Sequence, residues 1–233
     1  RTRAALETGT TTARTLSPII TYTDTPVPVP RPTDAEDGPW LIFPDAQGEH
    51  LYAADRDSGT LIPITLPLLT DPLDIIGGKA PDGTRVLLRA GTPEKLDELG
   101  MYELTNPWNP PRMLTSLLSA ELQEAVLQQD GIQPQMALQA VQQPNPVSWS
   151  GDARTAVFPA ALDGPSADLY LYQPENGSLK RLNQRFQQDF SPLWSPDQEW
   201  IVFQEVNSYA TISDWKISLV GALSMPNGAI THY

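Results

Sequence analysis

A strand–turn–strand unit recurs along the chain, and its spacing constrains the fold more than any other feature of the sequence. In its clearest copy, an extended Pro192–Ser195 leads into a turn at Pro196-Asp197, because proline presets φ and aspartate accepts hydrogen bonds from nearby backbone. An apolar, aromatic and β-branched run, Trp200–Phe203, follows and suits a buried strand. The turn position is held in four copies by Asp37, Asp82, Asp152 and Asp197.

The spacing of these aspartates is regular. Asp37 and Asp82 are 45 residues apart, as are Asp152 and Asp197, and the gap of 70 residues between the middle pair is one period plus 25. Each unit continues with a third predicted strand, at Leu51–Asp55, Met101–Thr105, Leu169–Tyr172 and Trp215–Leu219, and a fourth, at Leu61–Thr65, Arg112–Thr115, Leu179–Asn183 and Ala229–Thr231. A fixed period in the forties with four antiparallel strands per unit predicts an all-β fold, a β-propeller with four blade repeats.

Across the copies, the units share one order of motifs: Trp-Ser-Pro-Asp, an apolar strand, Leu-Tyr, Gly and Leu-Thr. This order resembles the repeat of TolB-like β-propellers. The resemblance extends from about Asp37 to Thr231 and implies a fold rather than an activity, because turn and core residues carry it. Two features depart from that family. Arg31–Ala35 is too polar to supply the innermost strand of the first unit, and four units are fewer than such propellers usually have. The propeller is therefore incomplete, or the chain continues, or another chain closes it.

The repeats divide the chain into two parts. Residues 1–35 are rich in Thr and Pro, with prolines alternating over Pro26–Pro32, which predicts a stiff, extended linker or arm. Residues 36–233 hold the repeats, with a helical insertion at 116–146 between the second and third blades. Spacers of the first kind are typical of extracytoplasmic domains, so we expect a periplasmic or cell-surface location.

The insertion is predicted to be a short helical hairpin. Apolar residues recur at helical spacing, Leu117 and Leu122 among them, with Ser116 or Ser119 as the first cap and Asp130-Gly131 as the end of the first helix. Two interpretations stay open, since the apolar stripe either packs on the propeller or docks a partner. On the docking interpretation, deleting Ser116–Gln143 leaves the fold intact and weakens partner binding.

Strand alternation places the insertion on one end of the blades. The loops Arg89–Gly100, Pro159–Ala167 and Gln204–Asp214, which are the longest, emerge at the same end. Because variable loops on a rigid scaffold are where binding is usually built, we expect a binding site on this long-loop face. Its candidate residues are Leu117, Leu122, Trp108 in the turn Asn106–Pro110, and Tyr209.

Composition excludes several classes of function. The chain has no cysteine, so it has no disulfide, thiolate metal site or cysteine nucleophile. A net charge of −13 disfavours nucleic acid and anionic membrane surfaces as partners. No apolar run approaches the roughly 20 residues of a membrane span. The chain begins at Arg1 without a methionine, so we expect an upstream segment that could hold a signal or membrane anchor.

No catalytic motif stands out. The two histidines, His50 and His232, neighbour no serine motif, and neither Gly-x-Ser-x-Gly, His-x-x-x-His nor a phosphate-binding loop is present. Asp55–Gly59 resembles the start of a calcium loop but lacks its distal glutamate and falls on a hairpin turn, and the recurring aspartates read as turn residues. We therefore expect no metal, no cofactor and no catalytic residue.

Three functions remain. The first is a non-catalytic propeller scaffold that binds another protein or subunit. The second is the propeller portion of a prolyl-oligopeptidase-like hydrolase whose catalytic domain lies outside these residues, and a downstream Gly-x-Ser-x-Gly would identify it. The third is a carbohydrate- or ligand-binding propeller with Trp108 and Tyr209 on the loop face. A charged or flat apolar loop face favours a protein partner, and clustered exposed aromatic residues favour a sugar.

Overall fold

The structure is a computed structural model that describes residues 40–44, 51–55, 59–64, 78–106, 109, 111–206 and 217–233. The strands are β1 (Trp40–Pro44), β2 (Leu51–Asp55), β3 (Leu61–Ile64), β4 (Val86–Thr92), β5 (Lys95–Leu104), β6 (Arg112–Ser116), β7 (Ser148–Trp149), β8 (Ala156–Ala160), β9 (Asp168–Gln173), β10 (Ser178–Arg181), β11 (Gln188–Trp194), β12 (Trp200–Val206), β13 (Ile217–Ser224) and β14 (Ile230–His232). A pair of helices, α1 (Ala120–Gln128) and α2 (Ile132–Val141), lies between β6 and β7.

The strands form four antiparallel sheets in chain order. Sheet 1 is β1-β2-β3, sheet 2 is β4-β5-β6, sheet 3 is β7-β8-β9-β10 and sheet 4 is β11-β12-β13-β14. This confirms an all-β architecture of four repeated sheets with helices between the second and third. Among the described residues, sheet 1 has three strands, as expected, and sheet 2 also has three, with a single bridge from Lys79 to Val86 beside it.

The repeated turns are built from the same hydrogen bonds. Ser195 Oγ accepts from the backbone N–H of Trp200 at 2.9 Å and donates to Asp197, whose Oδ1 accepts from the N–H of Glu199 at 3.1 Å. Ser150 and Asp152 make the equivalent contacts in sheet 3. Hydrogen bonds from the serine hydroxyl, which has the larger effect, and from the backbone N–H hold the pKa of each aspartate below its usual value. These aspartates are therefore turn residues.

Successive sheets stack through their apolar faces. Sheets 1 and 2 share a core cluster that includes Trp40, Ile42, Ala53, Val86, Leu88 and Leu104. Sheets 3 and 4 share a second, made of Val157, Leu169, Ile201, Phe203 and Leu223. Sheets 2 and 3 meet in the largest cluster, which includes Leu87, Leu99, Met101, Ala156, Phe158 and Tyr170. The four sheets thus form a continuous stack in which each buries a face against the next.

The helical insertion belongs to the largest of these clusters. Leu117 and Leu122 are buried in it, with relative exposures of 0% and 6%, together with Val126, Leu138 and Val141. The packing interpretation of the apolar stripe is therefore the observed one. Removal of Ser116–Gln143 would take these buried residues out of the cluster, so the packing argues against the expectation that this deletion leaves the fold intact.

Two local expectations also change. Arg89–Gly100 is not a long loop, because β4 and β5 pair as far as Thr92 and Lys95 and leave only two residues between them. The first helix is capped by Ser119, whose hydroxyl accepts from the N–H of Leu122 at 3.2 Å. It ends at Gln129 in the left-handed conformation, whereas Gly131 begins the second helix.

Candidate binding groove

A groove lies on the long-loop face, between the insertion and the loop that joins β8 to β9. Its volume is about 610 Å³, which lies within the roughly 300–1,000 Å³ of small-ligand sites. One wall comes from the insertion, with Glu121, Leu122, Ala125 and Asp130, and the other from the loop, with Leu162 and Asp163. We call this cleft the insertion groove.

Backbone hydrogen bonds join the two walls of the insertion groove. The N–H of Ser119 donates to the carbonyl of Ala161 at 2.8 Å, and the N–H of Ala161 donates to the carbonyl of Leu117 at 2.8 Å. Leu118 and Ala161 form a parallel bridge between these contacts. Because the walls are held at their base by paired backbone, the width of the groove is fixed by the fold.

The loop wall is anchored from below by polar side chains. Asp163 Oδ2 accepts from the hydroxyl of Tyr170 at 2.9 Å, and its carbonyl accepts from Arg181 Nη1 at 3.0 Å. Arg181 in turn forms an ion pair with Asp168, which is 1% exposed. Burial raises the pKa of Asp168 to about 6, although the arginine beside it favours the charged form.

A second set of contacts ties the insertion to sheet 4. Gln188 Nε2 donates to Gln133 Oε1 on α2 at 3.2 Å, while Gln188 Oε1 accepts from the N–H of Ala167 at 2.7 Å. Ser166 Oγ donates to the carbonyl of Arg185. One buried glutamine therefore bridges the helix, the loop and the first strand of the last sheet.

Two carboxylates are buried beside this bridge. Asp189 on β11 and Glu205 on β12 are direct cross-strand partners, and each is 0% exposed. Glu205 Oε2 lies 2.9 Å from Arg185 Nη1 and 3.1 Å from His232 Nε2. Asn183 donates to Asp189 Oδ2. Asp189 Oδ1 and Glu205 Oε1 have no hydrogen-bond partner among the described atoms. Burial, reinforced by the charge of Glu205, raises the pKa of Asp189 well above its usual value.

The groups around the groove supply no recognisable catalytic set. Among the residues that the structure describes, no group of three or more His, Asp or Glu side chains is arranged to hold a metal ion. His232 contacts Glu205 and Arg185, and His50 lies outside the described residues. What the arrangement offers is a shaped, acidic and partly apolar surface.

Of the four predicted binding residues, one lines the groove, one lies in the core and two lie outside the described residues. Leu122 lines the groove and Leu117 lies in the core, so neither offers a freely exposed side chain. Trp108 and Tyr209 lie outside the described residues. Sequence reasoning missed Phe186, which is 78% exposed in the connection from β10 to β11 on the same end of the sheets. Its polar neighbours, Gln184-Arg185 and Gln187, break the repeat pattern and could have drawn attention to it.

Comparison with known proteins finds distant similarities. No family model matches the chain. Over 54 residues, or 23% of this chain and 8% of the relative, it is 39% identical to the uncharacterized peptidase YuxL of Bacillus subtilis (strain 168). Similar solved structures include TolB from Agrobacterium tumefaciens, at 16% identity and a TM-score of 0.48, covering 84% of this chain and 58% of that one.

Two further solved structures illustrate the range of similar proteins. TolB from Acinetobacter baumannii is 14% identical with a TM-score of 0.48, over 83% of this chain and 40% of that one. A puromycin-hydrolyzing peptidase from Mycobacterium tuberculosis is 13% identical with a TM-score of 0.46, over 78% and 24%. The chain spans less than two thirds of the length of each of these proteins.

Within the described parts of the chain, no helix combines the length and the apolar character that crossing a membrane requires.

Proposed function

We propose that this chain is a non-catalytic scaffold of TolB-like propeller blades that binds another protein through the insertion groove, outside the cytoplasm. The observation that carries this proposal is the hydrogen-bonded base of the groove, where the Ser119–Ala161 and Ala161–Leu117 contacts join its walls. A site held in this way loses little conformational entropy when a partner binds, which favours affinity without large contact area. The Thr- and Pro-rich residues 1–35 support an extracytoplasmic location.

The test is to obstruct the groove without disturbing the core. Ala125 is half-buried on α1 and lines the groove, so Ala125→Arg places a long cationic side chain in it. Ala229→Arg makes the same change at an exposed position in the turn between β13 and β14. We expect cross-linking in the native host to recover a partner with the parent protein and with Ala229→Arg. The amount recovered with Ala125→Arg should be at least fivefold lower. Equal recovery with both variants would place the partner elsewhere.

A second candidate function is supported by the similarity to YuxL. The sheets would then be the propeller portion of a peptidase whose hydrolase domain lies in a longer protein. Sequencing the complete gene tests this alternative, because a Gly-x-Ser-x-Gly nucleophile motif after these repeats would favour it over the scaffold.

A further inference from the structure

We infer that the insertion groove binds a basic protein segment that carries an apolar anchor residue. This inference rests on the proposed function and specifies the chemistry of its partner. Glu121, Asp130 and Asp163 line the groove with exposed carboxylates, and none of its lining residues is basic. The acidic rim therefore selects the charge of the segment.

The sequence around the groove extends this charge bias. Between Arg112 and Arg154 the chain has no lysine or arginine, and none occurs between Arg154 and Lys180. Both walls of the groove fall within these two stretches. Arg181 is the cation nearest the loop wall, and it is held by the buried carboxylate of Asp168 with only 16% of its side chain exposed. The rim therefore keeps an uncompensated negative potential toward solvent.

The walls of the groove also carry apolar residues. Leu122 and Pro134 are buried, and Ala125 and Leu162 are half-buried, so their remaining surface faces the cleft. Burying an aliphatic side chain of the partner against them would contribute the hydrophobic part of the affinity. A purely polar cation would gain only the exposed ion pairs, which are individually weak.

The experiment uses the full chain and three fluorescent decapeptides in an anisotropy titration. The first alternates Lys with Leu, the second replaces Lys by Glu, and the third replaces Leu by Ser. We expect the first to bind, the third to bind about tenfold more weakly, and the second not to bind. Raising the salt from 0.05 to 0.5 M should weaken the first peptide, because exposed charges are screened.

Matched variants separate the groove from the overall charge of −13. Glu121→Gln with Asp130→Asn neutralises two exposed groove carboxylates, and Glu175→Gln with Glu199→Gln neutralises two exposed carboxylates outside it. We expect the first pair of changes to weaken binding of the Lys-Leu peptide about three- to tenfold, and the second pair to leave it within twofold.

The outcomes separate the two proposals. Equal weakening by both pairs of variants, or binding of the Glu-containing peptide, would overturn the basic-segment inference. Suppose that Ala125→Arg reduces recovery of the native partner but the Lys-Leu peptide fails to bind. The scaffold function then stands, and the inferred chemistry of the partner is wrong. If the peptide binds in the groove but no native partner depends on Ala125, the protein-scaffold function fails instead.

Discussion

Asp189 and Glu205 carry the sharpest energetic conflict at the scale of single residues. Like charges directly opposite on neighbouring strands destabilise a sheet, and here both side chains are fully buried. The conflict is relieved unequally. Glu205 has Arg185 as its ion-pair partner and His232 Nε2 at 3.1 Å, whereas Asp189 has the amide of Asn183 at its Oδ2. The raised pKa of Asp189 means that the fold favours its neutral form.

We therefore predict opposite effects for the two isosteric amides. Asp189→Asn should be at least as stable as the parent at pH 7, because it removes the cost of ionising a buried acid. Glu205→Gln should lose about 2–4 kcal/mol, because Arg185 loses its charged partner while it is partly buried. Urea unfolding at pH 7 measures both.

The pH dependence of Asp189→Asn provides the control. The acid is neutral in both states below its unfolded pKa of about 4, so the two proteins should then differ least. As pH rises above about 4 the unfolded parent loses its proton while the folded parent keeps it, so the advantage of the amide should grow until the raised folded pKa is passed and should then level off. An advantage that is constant from pH 3.5 to 8 would show that ionisation of Asp189 is not its cause.

The sequence predicted the structural role of some of these residues but not of others. Asp152 and Asp197 were predictable as turn residues, because their partners lie within a few positions along the chain. The Asp189–Glu205 pair was not, because strand register decides it and β11 carries an irregularity between Phe190 and Leu193. The groove had a partial signal, since Leu122 was singled out, but the facing Leu162 and Asp163 follow only after α2, β7 and β8.

At the scale of elements, the insertion is part of the core rather than an appendage. Helical spacing in the sequence revealed that one side of α1 is apolar, but it could not reveal what covers that side. In α2 the burial extends to Pro134, Met136, Ala137, Leu138, Ala140 and Val141, more than one stripe. Arg89 on β4 donates to the carbonyls of Val141 and Gln143 at 2.8 and 2.9 Å, at the C-terminal end of α2.

We predict that deletion of Ser116–Gln143 prevents folding, because it uncovers buried residues of sheets 2 and 3.

A point variant tests the docking of the helix more gently. Arg89→Gln should cost about 1–3 kcal/mol in the free energy of unfolding, as two charge-assisted hydrogen bonds to carbonyls are lost. Arg154→Gln is the control, since that side chain is 83% exposed, and it should change stability by less than about 0.5 kcal/mol. A cooperative thermal transition in the deletion variant would contradict the core assignment.

At the scale of the whole molecule, the described residues of the four sheets form three buried interfaces and have exposed apolar side chains on the two end sheets. Leu41, Phe43 and Leu61 are exposed by 48%, 39% and 56% on sheet 1, and Leu193 and Val220 by 60% and 42% on sheet 4. The opposite faces of both sheets hold buried core residues. The repeat in the sequence predicted four successive antiparallel sheets because each sheet is local, although sheet 2 has three described strands and β13 extends to Ser224, beyond the predicted Leu219. It could not predict what meets the end faces, because each interface joins residues a full period apart.

Leu223 and Leu193 both lie on sheet 4 but differ in burial, so substituting each tests whether the exposed face of this sheet is covered. Leu223 is 2% exposed and packs with Val157 and Phe203, so Leu223→Ala should cost about 2–5 kcal/mol in the free energy of unfolding. Leu193 is already 60% exposed, so Leu193→Ala should cost less than about 0.5 kcal/mol. Urea unfolding of both variants at two protein concentrations makes the comparison. A cost for Leu193→Ala that approaches that for Leu223→Ala would mean that another sheet covers this face. If that cost grew with protein concentration the sheet would come from a second copy, and if it did not, from the same chain.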